Sequence, residues 1–392
     1  MTQTAMQQDA FDQPPASDRT AFEIGWDFAH CRLTPPADHL HEGHPVRQGW
    51  EAGQAVFGLR TLRATVHVRK WLRLRLGAWL RGKAFEGVQV TPNFLAQIDV
   101  ALCPITGDTL TRASGLPSDA SVDRVNNDAG FAAGNLAVMS HRANQAKSSY
   151  DWRDAASFAR QIERGGLSQI DGLDAGAWAR LAVLMSFATP LSHAEAAHLP
   201  LLLLPPARLR VLNPAQSLQV MLTMHFTQPG QTPRLDALSS LFPAAVRTEF
   251  HSFMTTLLAR RVAAGPQQDV ATMRRTMAAA WAQPLVLSRW QRLVLRLTAA
   301  CCERIVNLAV ARGLAGGGLR CLSLAQATDG WALATLARVA GQDVALPSAR
   351  AGGLRASHPS PHPSQRPPAQ EDASMRFHLP SLQPGSVCTA LN

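Results

Sequence analysis

Lysine, tyrosine and paired cysteines are scarce in this sequence, and each scarcity excludes something. The 392 residues include three lysines, one tyrosine and six cysteines, none of them in a C-x-x-C pair. Unpaired cysteines argue against a disulfide framework and for a reducing compartment. Few lysines beside abundant Ala, Arg, Gly and Pro are typical of a GC-rich genome. We therefore predict a bacterial protein of the cytoplasm.

Long apolar runs are also missing. "LPLLLLPP" (Leu199 to Pro206) is short and bracketed by prolines, and "LVLSRWQRLVLRL" (Leu285 to Leu297) carries three arginines, so neither is expected to span a bilayer. The first twenty residues have neither a basic start nor an apolar run, and do not read as a secretory signal. We expect a soluble chain without membrane partners, and nothing in the sequence indicates a protein partner.

The charge balance is strongly basic. A net charge of +10 favours polyanionic partners such as nucleic acid. Genome composition explains part of the arginine excess, but the two explanations are compatible because the guanidinium fork suits phosphate oxygens. We expect DNA rather than RNA as the partner.

The pattern along the chain predicts an α+β protein that is predominantly helical. Helical spacing of apolar residues dominates on both sides of a short segment that reads as strand, loop, strand and helix. The predicted parts are a disordered start (1–20), a helical region with a basic helix (21–100), a ββα module (101–152), a helical region (174–346) and a disordered Pro/Ser-rich tail (347–392).

A basic run precedes the module. Leu59 to Lys83 carries eight Arg and Lys residues and no acid, with two tryptophans interleaved. Thr65 is the expected N-cap of its helix. The run could follow a phosphate backbone, with Arg69, Lys70 and Arg73 as the contacts. The alternatives are an amphipathic helix with a solvated basic face, or a helix lying on a membrane surface.

The most informative stretch is "SVDRVNNDAGFAAGNLAVMSHRANQAKSSY", Ser121 to Tyr150. "SVDRV" reads as a strand carrying Asp123, "NNDAGFAAGN" as a loop with two glycines, and "LAVMSHRANQAK" as a strand running into a helix with Asn144. Such a unit can clamp one divalent ion between a strand carboxylate and a helix side chain.

This stretch resembles the HNH endonucleases, in particular a phage and bacterial subgroup with Asp-Arg in place of Asp-His. The resemblance covers about 50 residues. It depends on a set of positions in register, namely Asp123, Arg124, Gly130, Phe131, Gly134, Asn135, Asn144 and Lys147. It implies a ββα-metal fold and metal-dependent cleavage of DNA.

The resemblance also implies roles for single residues. Asp123 and Asn144 match the ligands of Mg²⁺ or Mn²⁺, and Asn135 matches the asparagine that orients the loop and the catalytic base. Lys147 matches a position that faces the phosphate backbone, and neighbouring Arg142 is expected to assist it.

One departure puts hydrolysis in doubt. Arg124 stands where the family keeps its general-base histidine, and a guanidinium has no lone pair with which to take a proton, although it can hold a phosphate. His141, three residues before Asn144, could replace the base, be a third metal ligand, or be a polar residue on an exposed helix. Arg124, Asn135 and His141 are the candidate catalytic residues.

Many members of the family hold a structural zinc ion through two C-x-x-C knuckles. Only Cys103 is present here, and the partner positions are Thr106, Ser140 and Ala143, which are not useful zinc ligands. We expect no structural zinc ion, with apolar packing holding the unit instead.

Two other stretches raise smaller questions. "DHLHEGH" (Asp38 to His44) could form a metal chelate, but solvated loop histidines are the alternative. The adjacent Cys301 and Cys302 lie in an apolar helical pattern and indicate core packing.

Three functions are therefore compatible with the sequence. The chain could be an HNH-type endonuclease, a catalytically inactive nucleic-acid-binding relative without the general base, or a helical partner-binding protein in which the unit is only structural.

Overall fold

Helices make up most of the structure, a computed structural model that describes residues 16–227, 234–265, 269–315, 319–322 and 387–390. The predicted disordered tail lies outside these residues except for one short strand. Of the predicted disordered start, residues 1–15 lie outside them, whereas residues 16–20 are helical.

From residue 16 onwards, four α-helices precede the first strand: α1 (Ala16–His30), α2 (Pro45–Phe57), α3 (Val66–Leu80) and α4 (Pro92–Gln97). Helix α3 begins as predicted, because the Thr65 hydroxyl accepts a hydrogen bond from the Val68 N–H at 3.2 Å. Helices α1 and α2 touch backbone to backbone, since a Cβ on Gly25 would lie 1.9 Å from the Val46 carbonyl oxygen.

The ββα unit follows, and consists of β1 (Ala120–Arg124), β2 (Leu136–Ser140) and α5 (His141–Lys147). The two strands are antiparallel, with Asp123 opposite Ala137 and Ala120 opposite Ser140. The order of strand, loop, strand and helix is the predicted one, and Ser140 caps α5 by accepting a hydrogen bond from the Ala143 N–H at 3.2 Å.

The remaining elements are mainly helical. The helices are α6 (Trp152–Glu163), α7 (Ala175–Phe187), α8 (His193–His198), α9 (Pro214–Met224), α10 (Leu235–Ser239), α11 (Arg247–Ala263), α12 (Val270–Ala279), α13 (Pro284–Val294) and α14 (Ala299–Ala311). A small sheet, not anticipated from the sequence, contains β3 (Arg210–Val211), β4 (Leu319–Leu322) and β5 (Val387–Ala390), with β5 in the middle.

The apolar side chains form two clusters. A small one joins α1, α2 and the first turns of α3, and a large one runs from Ala78 to Ala315 through the ββα unit and the later helices. Cys302 is buried in the large cluster, as the core-packing interpretation predicts. The ββα unit therefore shares its core with the helices that follow it.

Polar contacts fix the ββα unit to its surroundings on both sides. The Lys70 ammonium donates to the Ala120 carbonyl at 3.0 Å, and the Asn126 amide donates to the Ala188 carbonyl at 3.0 Å. The Arg210 N–H donates to the Gly134 carbonyl at 2.9 Å. Because these bonds come from before and after the unit, its loop is held in one position.

No helix within the described ranges combines the length and the apolar character needed to cross a bilayer.

Candidate functional site

The side chain of Asp123 is the starting point of the site. Ser121 and Asp123 alternate along β1, so they lie on the same face of the strand. Helix α5 lies along this face, because Asn144 contacts Ser121 and Lys147 contacts Asp123. The strand and the helix therefore meet through these two polar pairs, whereas the sequence predicted that Asp123 and Asn144 hold one ion between them.

Lys147 lies next to the Asp123 carboxylate. Its ammonium nitrogen is 2.9 Å from the Asp123 carboxylate oxygen and donates to the Asn127 side-chain oxygen at 2.8 Å. The Lys147 side chain is fully buried, and that burial lowers its pKa, an effect that Asp123 opposes. A lysine in this position cannot face a phosphate backbone, so the expected phosphate contact of Lys147 does not match the structure.

Asn144 is directed at a hydroxyl group. Its amide nitrogen donates to the Ser121 oxygen at 2.8 Å. The charge that α5 places beside Asp123 is the Lys147 ammonium, which already neutralises the carboxylate. Within the described ranges, no three His, Cys, Asp or Glu side chains are grouped to hold a metal ion. As arranged, Asp123 and Asn144 do not fit a divalent ion.

His141 and Arg142 lie at the other end of the unit. His141 is exposed at the first position of α5, and its backbone N–H donates to the Asp119 carbonyl at 2.7 Å. Asp123 lies four residues beyond Asp119 in the chain, roughly 13 Å away at the rise of a strand. The His141 ring is therefore not placed to act on a group bound at Asp123. Arg142 makes an exposed ion pair with Asp108 at 2.7 Å.

Arg124 holds the loop that follows β1. One nitrogen of its guanidinium donates to the carbonyls of Asn127 and Ala129 at 2.8 and 2.9 Å, and the group lies 5.0 Å from the centre of the Phe131 ring. Partial burial lowers the Arg124 pKa, while Asp123 acts in the opposite direction. The group remains a cation and cannot be a general base.

Asn135 holds the same loop through hydrogen bonds of its side chain. It is fully buried, its side-chain oxygen accepts from the Asn126 N–H at 2.8 Å, and its amide donates to the carbonyls of Asn126 and Gly130 at 3.0 Å each. These three bonds use the Asn135 side chain to shape the loop, which agrees with a loop-orienting role.

The four positions that would hold zinc in the HNH family lie close together. The Cys103 sulfur is 3.4 Å from the Ser140 hydroxyl and accepts from the Thr106 N–H at 3.5 Å, while the Ser140 hydroxyl accepts from the Ala143 N–H at 3.2 Å. Burial raises the Cys103 pKa, but the hydrogen bonds with Ser140 and Thr106 outweigh it and hold the pKa below its usual value. Hydrogen bonds here join the turn to β2 and α5.

The predicted contacts of α3 divide into two groups. Arg69 and Arg73 are exposed and four residues apart, so they share one solvent face of the helix. Lys70 is half-buried, bonded to Ala120, and its burial lowers its pKa. Lys70 is a link between α3 and β1 rather than an exposed contact.

The histidine-rich loop is folded around α2. The rings of His39 and His41 lie 5.2 and 4.7 Å from that of His44, and the His44 ring lies 5.8 Å from Trp79. The His44 ring caps α2 by accepting from the Val46 N–H at 3.2 Å. The loop histidines therefore contact protein groups, and His44 has a structural role that the sequence interpretation omitted.

Sequence reasoning also omitted Asn127, Ser121 and Arg81. Asn127 accepts from Lys147, Ser121 accepts from Asn144, and Arg81 lies over the Phe131 ring at 5.8 Å. Alternation along β1 pointed to Ser121, because it shares a face with Asp123. Asn127 and Arg81 depend on loop conformation and on a contact across 50 residues, which spacing does not reveal.

The comparisons give no assignment for this site. No protein-family model, curated protein or solved structure matches the chain.

Proposed function

We propose that this protein binds nucleic acid, with DNA as the preferred partner, through an HNH-like ββα unit that is catalytically inactive. The observation that carries this proposal is the buried ion pair of Asp123 and Lys147, at 2.9 Å. An ammonium takes the place beside the carboxylate where an HNH enzyme would bind its divalent ion.

The three candidate catalytic residues support the same proposal. Arg124 cannot accept a proton. His141, at the start of α5, is exposed and lies away from Asp123, and the side chain of Asn135 is hydrogen-bonded to the loop. Activation of water requires a base within hydrogen-bond reach of the reacting oxygen, and these three candidates do not supply one at Asp123.

The basic surface supports binding. The exposed face of α3 carries Arg69 and Arg73, and the link from Lys70 to Ala120 fixes this helix against β1. Exposed guanidinium groups on a rigid element can contact successive phosphates without reading sequence. The net charge of +10 adds a general attraction to polyanions.

Duplex binding at two salt concentrations tests the proposal. We expect retention of a labelled duplex to fall steeply between about 50 and 200 mM salt, because bound phosphates release counterions. Arg69→Gln with Arg73→Gln should weaken binding and reduce the salt slope by about 1 for each phosphate that is no longer neutralised. Arg312→Gln, an exposed arginine at the end of α14, is the matched control and should bind as wild type does.

A nicking assay on supercoiled plasmid with Mg²⁺ or Mn²⁺ separates the binding protein from the enzyme. We expect no nicking by the wild type. Metal-dependent nicking that disappears in Asp123→Ala would overturn the inactive assignment and support an HNH endonuclease. Tighter binding to single-stranded RNA than to duplex DNA would overturn the choice of partner.

A further inference from the structure

Two guanidinium groups from separate parts of the chain converge on one buried ring. The Arg81 carbon lies 5.8 Å and the Arg124 carbon 5.0 Å from the centre of the Phe131 ring, which is 4% exposed. Arg81 follows α3, whereas Arg124 ends β1, so the fold brings these two cations together.

Backbone hydrogen bonds hold the segment that follows Arg81 close to Phe131. The Phe131 N–H donates to the Ala84 carbonyl at 2.8 Å, and the Glu86 N–H donates to the Phe131 carbonyl at 2.9 Å. These bonds hold the segment after α3 against the loop. A Cβ on Gly130 would lie 2.8 Å from the Ala84 oxygen, so glycine is required for this close approach.

The absence of a side chain at Gly77 leaves room for the Arg81 guanidinium. A Cβ at Gly77 would lie 3.3 Å from both terminal nitrogens of Arg81, which shows that the guanidinium folds back over this glycine. A larger residue at position 77 would press on the guanidinium. The side chain is thereby directed along α3 while it stays exposed.

The two guanidinium groups act on each other electrostatically. Asp123 is already paired with Lys147 at 2.9 Å. Burial lowers the pKa of Arg124, and repulsion from Arg81 lowers it further. The carboxylates of Asp123 and Asp128 act in the opposite direction and raise it. Arg81 and Arg124 thus repel each other, and a bound anion would relieve that repulsion.

Phosphate is the anion that suits this arrangement. Arg124 is held rigid by the carbonyls of Asn127 and Ala129, and a fixed guanidinium loses little freedom when it binds an oxygen anion. Two guanidinium groups offer several N–H donors to the two free oxygens of a phosphodiester.

We propose that Arg81 and Arg124 together bind one backbone phosphate of the nucleic acid. This inference rests on the proposed function and adds a binding residue, Arg81, that links the end of α3 to the ββα unit.

A double-mutant cycle tests this, with binding of a labelled DNA duplex measured for Arg81→Gln, Arg124→Gln and the double variant. Each single change should lower affinity about tenfold, as expected for a charge-assisted contact. Because both groups serve one phosphate, the double variant should lose clearly less than the product of the single losses. Its salt slope should fall by about 1, the value for one phosphate.

The controls separate this site from general charge. Arg69→Gln combined with Arg81→Gln should give the product of the single losses, because Arg69 lies three turns earlier on α3. Arg81→Lys, which keeps the charge without the fork, should recover only part of the affinity. Denaturation curves check that Arg124→Gln, which also loses loop bonds, is folded during the measurement.

The outcomes are distinct. Salt-sensitive binding by the wild type with no loss in Arg81→Gln overturns the shared phosphate site and leaves the proposed function in place. Multiplicative losses for Arg81 and Arg124 overturn a single shared phosphate. Absence of duplex binding by the wild type overturns the proposed function itself.

Discussion

The ammonium of Lys147 lies 2.9 Å from the Asp123 carboxylate while the lysine side chain is completely buried. The pair joins the last residue of α5 to β1, and Asn127 accepts a further hydrogen bond from the same ammonium at 2.8 Å. The lysine thus fastens the helix, the strand and the loop at one point. The site is held together by a cation that belongs to the chain.

Removal of either partner should destabilise the protein. Lys147→Met leaves the mostly buried Asp123 carboxylate unpaired, and Asp123→Asn leaves a buried ammonium, so each should lower the free energy of unfolding by about 3–5 kcal/mol. Chemical denaturation measures the change. The double variant Asp123→Asn with Lys147→Met should be more stable than either single variant, and strictly additive losses would show that the pair is not coupled.

Manganese should stabilise a variant and not the wild type. Lys147→Ala removes the ammonium that the Asp123 carboxylate and the Asn127 side-chain oxygen both contact, and these two oxygens are ligand types that hard divalent ions accept. Binding at 100 times the dissociation constant would add about 2.7 kcal/mol. The measurement is the melting temperature with and without Mn²⁺.

The control for manganese is the double variant Lys147→Ala with Asp123→Asn, which should show no shift. If Mn²⁺ raises the melting temperature of the wild type, and Asp123→Asn abolishes the rise, then the lysine does not exclude the ion and the catalytic hypothesis becomes the stronger one.

Much of the ββα unit could be predicted from sequence because its signals are local. Val122 is flanked by polar residues in β1, β2 is a short apolar run, and the helix after Ser140 begins at a hydroxyl cap. The α+β class and the N-cap at Thr65 are confirmed for the same reason.

The polar partners could not be predicted, because they depend on where side chains end in space. Lys147 is three residues after Asn144, and spacing alone does not show that its ammonium turns inward to Asp123. The sequence predicts Lys70 on the solvent face of α3, whereas its ammonium donates to the Ala120 carbonyl of β1. Burial of a lysine depends on a carboxylate or carbonyl from another element, which no pattern within one helix encodes.

The loop should depend strongly on Asn135. Asn135→Ala removes three hydrogen bonds from a fully buried side chain and leaves the Asn126 N–H and the Gly130 carbonyl without that partner. Unsatisfied buried groups cost about 1–3 kcal/mol each, so we expect the free energy of unfolding to fall by about 3 kcal/mol or more.

Asn144→Ala is the comparison for Asn135, since it loses one side-chain bond at a partly exposed position. Its loss should be about 1 kcal/mol in the same denaturation experiment. Equal losses for the two variants would contradict the assignment of Asn135 as the residue that organises the loop.

Acid should weaken the start of α2 through His44. Burial, and then repulsion from His39 and His41, hold the His44 pKa below 6.5, while Asp18 acts in the opposite direction. The unfolded chain therefore takes up the proton first, so stability falls as the pH drops below about 6.5 and levels off once the pH is below the folded pKa. Protonation also removes the lone pair that accepts from the Val46 N–H and places a positive charge at a helix N-terminus.

His44→Asn keeps an N-cap acceptor without a titrating group. The melting temperatures of wild type and His44→Asn should agree at pH 8 and separate towards pH 5, with the variant higher. Parallel curves over this range would show that His44 does not couple α2 to pH.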